Sequence, residues 1–297
     1  MNDKPILPAK GARSLLRNQL GLTLVLWVVL ILMFLIIWAV LQPPEGARPQ
    51  VHAQGSAPSM TGTYAVTFGV ALVIFLVALA GGRRFNAGNS AGVRALAEGD
   101  FARAETEFSG LQRRFRWNPI RLYAAVARFN LAIVWLYQGR FAEAIDRLGS
   151  LDKGVIASSL RPHMACYLAL AYGLRGQIDP ARAWLAEADK RAASAAQKPF
   201  LQGLADLARA VVDLRSGDAR EAHRWIEDRW RGLEGSLTGA SLRPFTVVRA
   251  FAAARAGGER EAGASQRILH GLLPIRAGEF AMLEAEWPEM HAFLADA

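Results

Sequence analysis

A glycine followed five residues later by an alanine recurs five times in the C-terminal two thirds of the chain. The pairs are Gly99/Ala104, Gly139/Ala144, Gly176/Ala181, Gly217/Ala222 and Gly257/Ala262. Successive glycines are separated by 40, 37, 41 and 40 residues. A near-constant period of this size is typical of repeat proteins, in which each repeat is one supersecondary unit.

The residues around each pair predict a helix, a tight turn and a second helix. Four of the first helices are expected to begin near a proline, at Pro119, Pro162, Pro199 and Pro244, because proline is tolerated in a first helical turn. The glycine ends the first helix in a left-handed conformation, and the alanine lets the second helix cross at close range. One pair buries too little surface to be stable alone, so pairs stack. The sequence predicts an all-α fold with a solenoid of about five antiparallel helical pairs over residues 83–277.

The second unit resembles the tetratricopeptide repeat family. The matching positions are Asn130-Leu131-Ala132, Trp135, Gly139-Arg140-Phe141, Ala144-Ile145 and Leu148. The fourth and fifth units depart from the family, with Arg209 and Arg249 where leucine is usual, and the period is longer than the family's usual value of about 34 residues. The resemblance implies that the first helices line a concave groove and that the chain is a non-enzymatic scaffold.

The family register predicts which side chains face that groove. They form a mainly apolar stripe along the first helices: Val126, Phe129, Asn130, Ile133, Leu136, Tyr137, Cys166, Leu170, Leu204, Val211, Val247 and Phe251. The basic positions that hold a C-terminal carboxylate in clamp-type members are missing, so the expected ligand is an amphipathic helix or apolar peptide segment of a partner protein. The alternative is that the stripe is core, buried by tight curvature or by self-association.

Two uncharged apolar runs precede the repeats. Residues 20–41 and 61–82 each contain 22 residues without Asp, Glu, Lys or Arg, long enough to cross a bilayer as helices. A cleaved signal peptide is the alternative for the first run, but its apolar stretch exceeds the usual h-region of about 7–15 residues. We therefore expect a transmembrane hairpin joined by a short external loop at residues 42–60.

The basic residues predict the orientation of this hairpin. Residues 1–19 contain four Lys and Arg, two arginines follow the second run directly, and the loop contains only Arg48. By the positive-inside rule both termini are cytoplasmic. Arginine outnumbers lysine 30 to 5, a bias compatible with a GC-rich bacterial genome, so we expect the inner membrane of a bacterium. The layout and the stretch Ala97-Glu98-Gly99-Asp100-Phe101 are also similar to HemY-type inner-membrane repeat proteins.

Positive charge is concentrated just after the second apolar run. The residues expected to contact anionic lipid headgroups are Arg83, Arg84, Arg113, Arg114, Arg116 and Trp117, since cations near such a surface are attracted to it. One alternative is that the arginines complement a helix dipole. Nucleic-acid binding is a further alternative, suggested by the net charge of +9, and we disfavour it because the excess is local.

The sequence contains no recognisable catalytic motif. The five histidines lie far apart, there is no phosphate-binding loop, and Cys166 falls within an apolar helix, where a buried thiol is the ordinary interpretation. We therefore predict no enzymatic activity, no cofactor and no metal.

The C-terminal residues 278–297 contain five acids and no Lys or Arg. Apolar residues at helical spacing interrupt the acids, so the segment is expected to cap the last helical pair, as solenoids require. The alternative is that it lies inside the groove. Two functions remain open: an adaptor that binds its partner through the repeats, and an accessory subunit of a membrane enzyme or transporter bound mainly through the hairpin.

Overall fold

A computed structural model describes residues 80–116, 121–151, 157–192, 198–237 and 239–296, and within these ranges the fold is all-α. The chain divides into two compact units, Met1–Gly82 and Arg83–Ala297. Both predicted membrane spans, the N-terminus and the loop between the spans lie outside the described residues, except for residues 80–82. Among the described residues, no helix has both the length and the apolar character needed to cross a membrane.

The second unit is built from helices that alternate in direction. Its helices are α1 (described over residues 80–97), α2 (Phe101–Arg114), α3 (Arg121–Tyr137), α4 (Phe141–Leu151), α5 (Ala157–Leu174), α6 (Ile178–Ala192), α7 (Lys198–Arg215), α8 (Ala219–Ser236), α9 (Gly239–Ala256), α10 (Glu259–His270), α11 (Ala281–Glu284) and α12 (Pro288–Ala295). The first ten form five consecutive helical pairs, as the repeat predicts. The two short helices α11 and α12 follow the last pair.

The glycine turns have the predicted conformation. All five have positive φ, at +76° for Gly99, +76° for Gly139, +73° for Gly176, +93° for Gly217 and +81° for Gly257. At the second turn the Gly139 N–H donates to the Leu136 carbonyl at 3.0 Å, and the next N–H donates to the Trp135 carbonyl at 2.8 Å. This pair of bonds is the Schellman motif, which satisfies the last carbonyls of the first helix. The left-handed glycine prediction is confirmed.

The crossing alanines are confirmed in four pairs and wrong in the fifth. Ala104, Ala144, Ala181 and Ala222 are fully buried, whereas Ala262 is exposed. In the fifth turn a second glycine, Gly258, also has positive φ, at +123°. The face that α10 buries is therefore shifted, and Ser265 and Leu269 are the buried residues of that helix.

Substitution of Ala144 with leucine is expected to lower the free energy of unfolding by about 1–3 kcal/mol, because α3 and α4 leave no room for a larger side chain. The matched control is Ala262→Leu, which places the same side chain on an exposed position and should change stability by no more than about 0.5 kcal/mol. Chemical denaturation of the purified full-length chain measures both. Equal effects of the two substitutions would contradict the assigned helix crossing.

Two of the four prolines lie deeper in their helices than predicted. Pro199 is the second residue of α7, within the first turn, but Pro162 and Pro244 lie inside α5 and α9. Each helix therefore begins about one turn before its proline, at the cost of the hydrogen bond that the missing N–H would donate. Pro119 is outside the described residues.

The pairs curve so tightly that the second and fifth repeats touch. The Tyr137 hydroxyl at the end of α3 is hydrogen-bonded to the Ser241 hydroxyl in α9 at 2.9 Å, and the contact is buried. Beside this contact a cavity of about 470 Å³ separates Leu96 and Phe101 of the first repeat from Pro244 and Pro274. The first helices of repeats two to five therefore surround a shared interior.

Candidate partner-binding surface

The predicted groove residues lie in the core of the second unit. Ten of the twelve belong to one buried cluster that also contains five C-terminal side chains, Phe280, Met282, Leu283, Trp287 and Met290. Val126 is partly buried against the smaller core between α1, α2 and α3. Asn130 is half-buried, and its amide donates to the Asn89 side chain at 2.8 Å.

An open apolar groove at these twelve positions is therefore not what the structure displays. There are two physical reasons. Tight curvature of the stack brings the first helices together, and the C-terminal segment (residues 278–296) covers the part of the inner side that curvature leaves open. Leu136, Leu170 and Leu204 are fully buried. The apolar stripe along the first helices is therefore core, which was the alternative interpretation of the sequence pattern.

The C-terminal segment crosses several repeats instead of covering the last pair alone. Its helix α11 packs against α3, and the turn at Gly139 meets Ala285 and the Ala281 carbonyl so closely that a Cβ atom added there would lie 2.5 Å and 3.0 Å from them. Farther along, Phe251 of α9 contacts the rings of Trp287 and Phe293, with centroid distances of 5.3 Å and 5.2 Å. The segment thus lies on the inner side of the stack.

Three arginines from different repeats hold the carboxylates of this segment. Arg175, directly after α5, pairs with Glu286 at 3.2 Å, and Arg243 of α9 pairs with Glu279. Arg215, the last residue of α7, donates to the Glu286 carbonyl at 3.2 Å and lies 4.0 Å from Glu289. The positive charges on the inner side of the repeats are therefore complementary to the negative charges of the C-terminal segment.

Trp287 is the central aromatic contact of the segment. The Arg215 guanidinium lies over its ring, 5.3 Å from the centroid, and the Phe251 ring meets it edge-to-face at 78°. Arg215 in turn rests on the Gly176 turn, where its guanidinium occupies the space that a Cβ atom would need. The third glycine turn therefore positions the arginine that contacts the tryptophan.

Glu279 couples the docking of this segment to pH. Burial opposes ionisation of its carboxyl group, but hydrogen bonds from Arg243 and from the Arg276 backbone N–H outweigh burial, so the pKa of Glu279 lies below its ordinary value of 4.5. A carboxyl group with a lowered folded-state pKa adds stability that is present above its unfolded pKa and is lost as pH falls through the folded pKa.

We expect Glu279 to contribute its full stabilisation of residues 278–296 at neutral pH, and hydrogen-exchange protection of these residues to fall as the pH drops below about 4.5. Glu279→Gln removes the titrating group, so the variant should lose less protection between neutral and acidic pH than the parent chain does. Hydrogen exchange at matched pH values measures the difference. Identical pH dependence in the two chains would contradict a role for Glu279 in holding the segment.

A second candidate surface gathers the predicted lipid-contacting arginines at one end of the stack. Phe85 contacts Phe115 edge-to-face with ring centroids 5.6 Å apart, which brings the start of α1 next to the end of α2. Five arginines flank these two rings, and all are exposed: Arg83, Arg84, Arg113, Arg114 and Arg116. Trp117, the sixth residue of the prediction, lies outside the described residues. The arrangement concentrates positive charge beside residue 83.

Two further chemistry-bearing side chains, Cys166 and Glu105, make structural contacts. Cys166 is fully buried and donates weakly to the Leu201 carbonyl at 3.6 Å, and burial raises the pKa of its thiol to about 12, so the thiolate nucleophile is suppressed.

Glu105 accepts hydrogen bonds from Trp135, Gln138 and Arg140. Burial disfavours the charged form, but these donors outweigh it and lower the pKa of Glu105. In the described part of the chain no group of three potential ligands converges as a metal site would require.

The two arginines that depart from the repeat pattern form links between repeats. Arg209 pairs with Asp189 at 2.6 Å, and Arg249 pairs with Glu227 through two hydrogen bonds of 2.6 Å and 2.8 Å. Arg249 also lies over the Trp230 ring, 4.2 Å from its centroid. Charged contacts therefore replace the apolar contact that leucine would make.

Sequence reasoning missed the arginines that hold the C-terminal segment. Arg175 and Arg215 stand at the ends of first helices, where basic residues are ordinary complements of the helix dipole. The signal in the sequence was that these positions are basic and the C-terminus is acidic. Opposite charge by itself does not specify which residues pair.

Comparisons of the chain with protein-family models, with curated proteins and with solved structures return no match. Function is therefore inferred from the residues of these two surfaces.

Proposed function

We propose that this chain is a membrane-tethered, tetratricopeptide-like scaffold that binds a partner protein at the cytoplasmic surface of a bacterial inner membrane. The observation that carries the proposal is the inner side of the helical stack, which already holds an amphipathic helical segment through a buried tryptophan and three arginines. Helix-in-groove recognition uses the same elements, an apolar stripe for affinity and charges at its edges for orientation.

The basic end of the stack supports the membrane part of the proposal. Residues 61–82 are expected to form the second span, so the exposed arginines around Phe85 and Phe115 would stand at the lipid headgroups. Each cation close to an anionic membrane surface contributes about 1 kcal/mol of attraction. In this arrangement the second unit rests on the bilayer through α1 and α2.

Hydrogen exchange of the full-length protein in nanodiscs tests the membrane contact. Residues 83–97 and 101–116 should gain protection when anionic lipid is added to a zwitterionic bilayer, and substitution of Arg83, Arg84, Arg113 and Arg114 with glutamine should remove that gain. A matched control replaces four exposed arginines elsewhere in the second unit, Arg224, Arg231, Arg260 and Arg267. Equal behaviour of the two quadruple variants would refute the lipid contact.

A second candidate function is that of an accessory subunit of a membrane enzyme or transporter, bound mainly through the hairpin. The observation that favours it is the burial of the predicted groove residues. While these residues are buried, the repeats have a structural role and offer no open groove to a partner. Exchange of residues 1–82 for an unrelated two-span hairpin separates the candidates. Photo-crosslinked partners that persist after the exchange support the scaffold, and partners lost with the native hairpin support the accessory subunit.

A further inference from the structure

The C-terminal segment has the composition of a docked ligand. Its buried side chains are apolar, with Phe280, Leu283 and Met290 at most 1% exposed. Two of its carboxylates lie at the rim, where Glu286 and Glu289 keep 41% and 55% of their side-chain surface exposed. The segment consists of two short helices, α11 and α12, with Trp287 between them. Apolar burial on one side and charge on the other is the pattern of an amphipathic ligand in a groove.

The residues that contact the segment define a specific recognition chemistry. Arg215 and Phe251 enclose Trp287, and Arg175 and Arg215 contact the residues directly around it. A tryptophan flanked by carboxylates satisfies all of these contacts at once. Cation–π and charge-assisted contacts of this kind favour such a sequence over a basic or purely aliphatic one.

We propose that the inner surface formed by Arg175, Arg215, Arg243 and Phe251 is the docking site for an acidic, tryptophan-bearing amphipathic segment of a partner protein. The C-terminal segment occupies this site in the absence of the partner, so the two exclude each other. The inference rests on the scaffold function proposed above and names the chemistry of its partner.

Three features make the segment an exchangeable occupant. Two of its three ion pairs with arginines of the repeats, Arg175 with Glu286 and Arg215 with Glu289, have exposed carboxylates, and pairs of this kind contribute little individually. The connection that precedes it, residues 273–278, is largely exposed, with Leu273 at 51%. Its first helix, α11, has only four residues. A tethered segment of this kind competes through its high effective concentration more than through intrinsic affinity.

Gly139 offers a way to release the segment without touching the arginines. A Cβ atom at this position would collide with Ala285 and the Ala281 carbonyl, so Gly139→Ala should displace α11. Gly99 has the same φ of +76°, and a Cβ atom added there meets nothing within 4 Å. Gly99→Ala therefore carries the same backbone strain with no effect on the segment.

The test measures binding of a fluorescent peptide with the sequence of residues 278–296 to the full-length protein in detergent. The intact chain should bind it weakly, Gly139→Ala should bind it at least about tenfold more tightly because more chains have a vacant site, and Gly99→Ala should resemble the intact chain. A peptide carrying Glu286→Lys and Glu289→Lys should lose the gain. Equal affinities for the two glycine variants, or for the two peptides, would overturn the proposal.

A second measurement covers the case in which Gly139→Ala does not fold. A protease site inserted after Ala277, in the exposed connection, allows the segment to be cut from an otherwise unchanged chain. Replacement of the cut segment by isotope-labelled peptide supports an exchangeable occupant, whereas unfolding or a lack of exchange overturns it. A cut or substituted chain that forms a dimer by sedimentation would also overturn the proposal and identify a second copy as the occupant.

These outcomes are separable from those of the scaffold function. If the peptide fails to bind while crosslinked partners persist after the hairpin exchange, the scaffold stands and the proposed partner chemistry is wrong. If the peptide binds and all native partners are lost with the hairpin, the docking site stands and the scaffold function fails.

Discussion

Substitution of Ile133 with aspartate is expected to unfold the second unit of this protein. Ile133 lies in α3 with only 6% of its surface exposed, within the larger core cluster. An aspartate there would bury a carboxylate without a partner, which costs far more than the loss of apolar contacts. We expect a loss of at least about 4 kcal/mol, at the severe end of single substitutions.

Circular dichroism and chemical denaturation of the full-length chain measure this effect, and Arg128→Asp is the matched control. Arg128 lies on the exposed side of the same helix, so the control introduces the same residue into α3 without burying it. The control should fold. An Ile133→Asp chain that folds normally but loses its partner would restore the open-groove hypothesis for this stripe.

Substitution of Trp287 with alanine is expected to cost about 3–5 kcal/mol, the usual penalty for removing a large buried aromatic side chain. Trp287 is 3% exposed and joins α12 to α7 and α9 through Arg215 and Phe251. Its removal leaves a cavity at the point where the C-terminal segment meets two repeats. Hydrogen exchange should show the largest loss of protection at residues 278–296.

The control for this substitution is His291→Ala, an exposed position in α12, the helix that begins directly after Trp287. Its 3.4 Å contact with Glu284 is at the surface, and pairs of this kind contribute little. The control should therefore preserve both stability and protection. A Trp287→Ala chain as stable as the control would show that the segment adds nothing to the core.

The local features of the fold were predictable because they depend on residues close together in the sequence. A glycine at a helix end specifies a left-handed turn, and the alanine five residues later follows from the helix that begins there. The fifth repeat shows where this reasoning stops. Gly258 adds a second glycine with positive φ, and the buried face of α10 changes although the spacing of Gly257 and Ala262 is preserved.

Whether the predicted groove residues form an open surface or part of the core was not predictable from residues close together in the sequence. A stripe of apolar side chains at helical spacing is equally compatible with an open surface and with a core. The difference depends on curvature, which is set by contacts such as Tyr137 with Ser241, 104 residues apart. The position of the C-terminal segment depends on Arg175, Arg215 and Arg243, whose charges pair with it only after the chain has folded.

The hydrogen bond between Tyr137 and Ser241 has a mechanical consequence. Solenoids in which each repeat touches only its neighbours behave as springs, and they can lengthen or lose terminal repeats one at a time. Here a buried hydrogen bond links the second repeat to the fifth. Stretching repeats two to five has no soft first stage, since this link must break before any of these four repeats can separate from its neighbour. Under load they should therefore separate in one abrupt step.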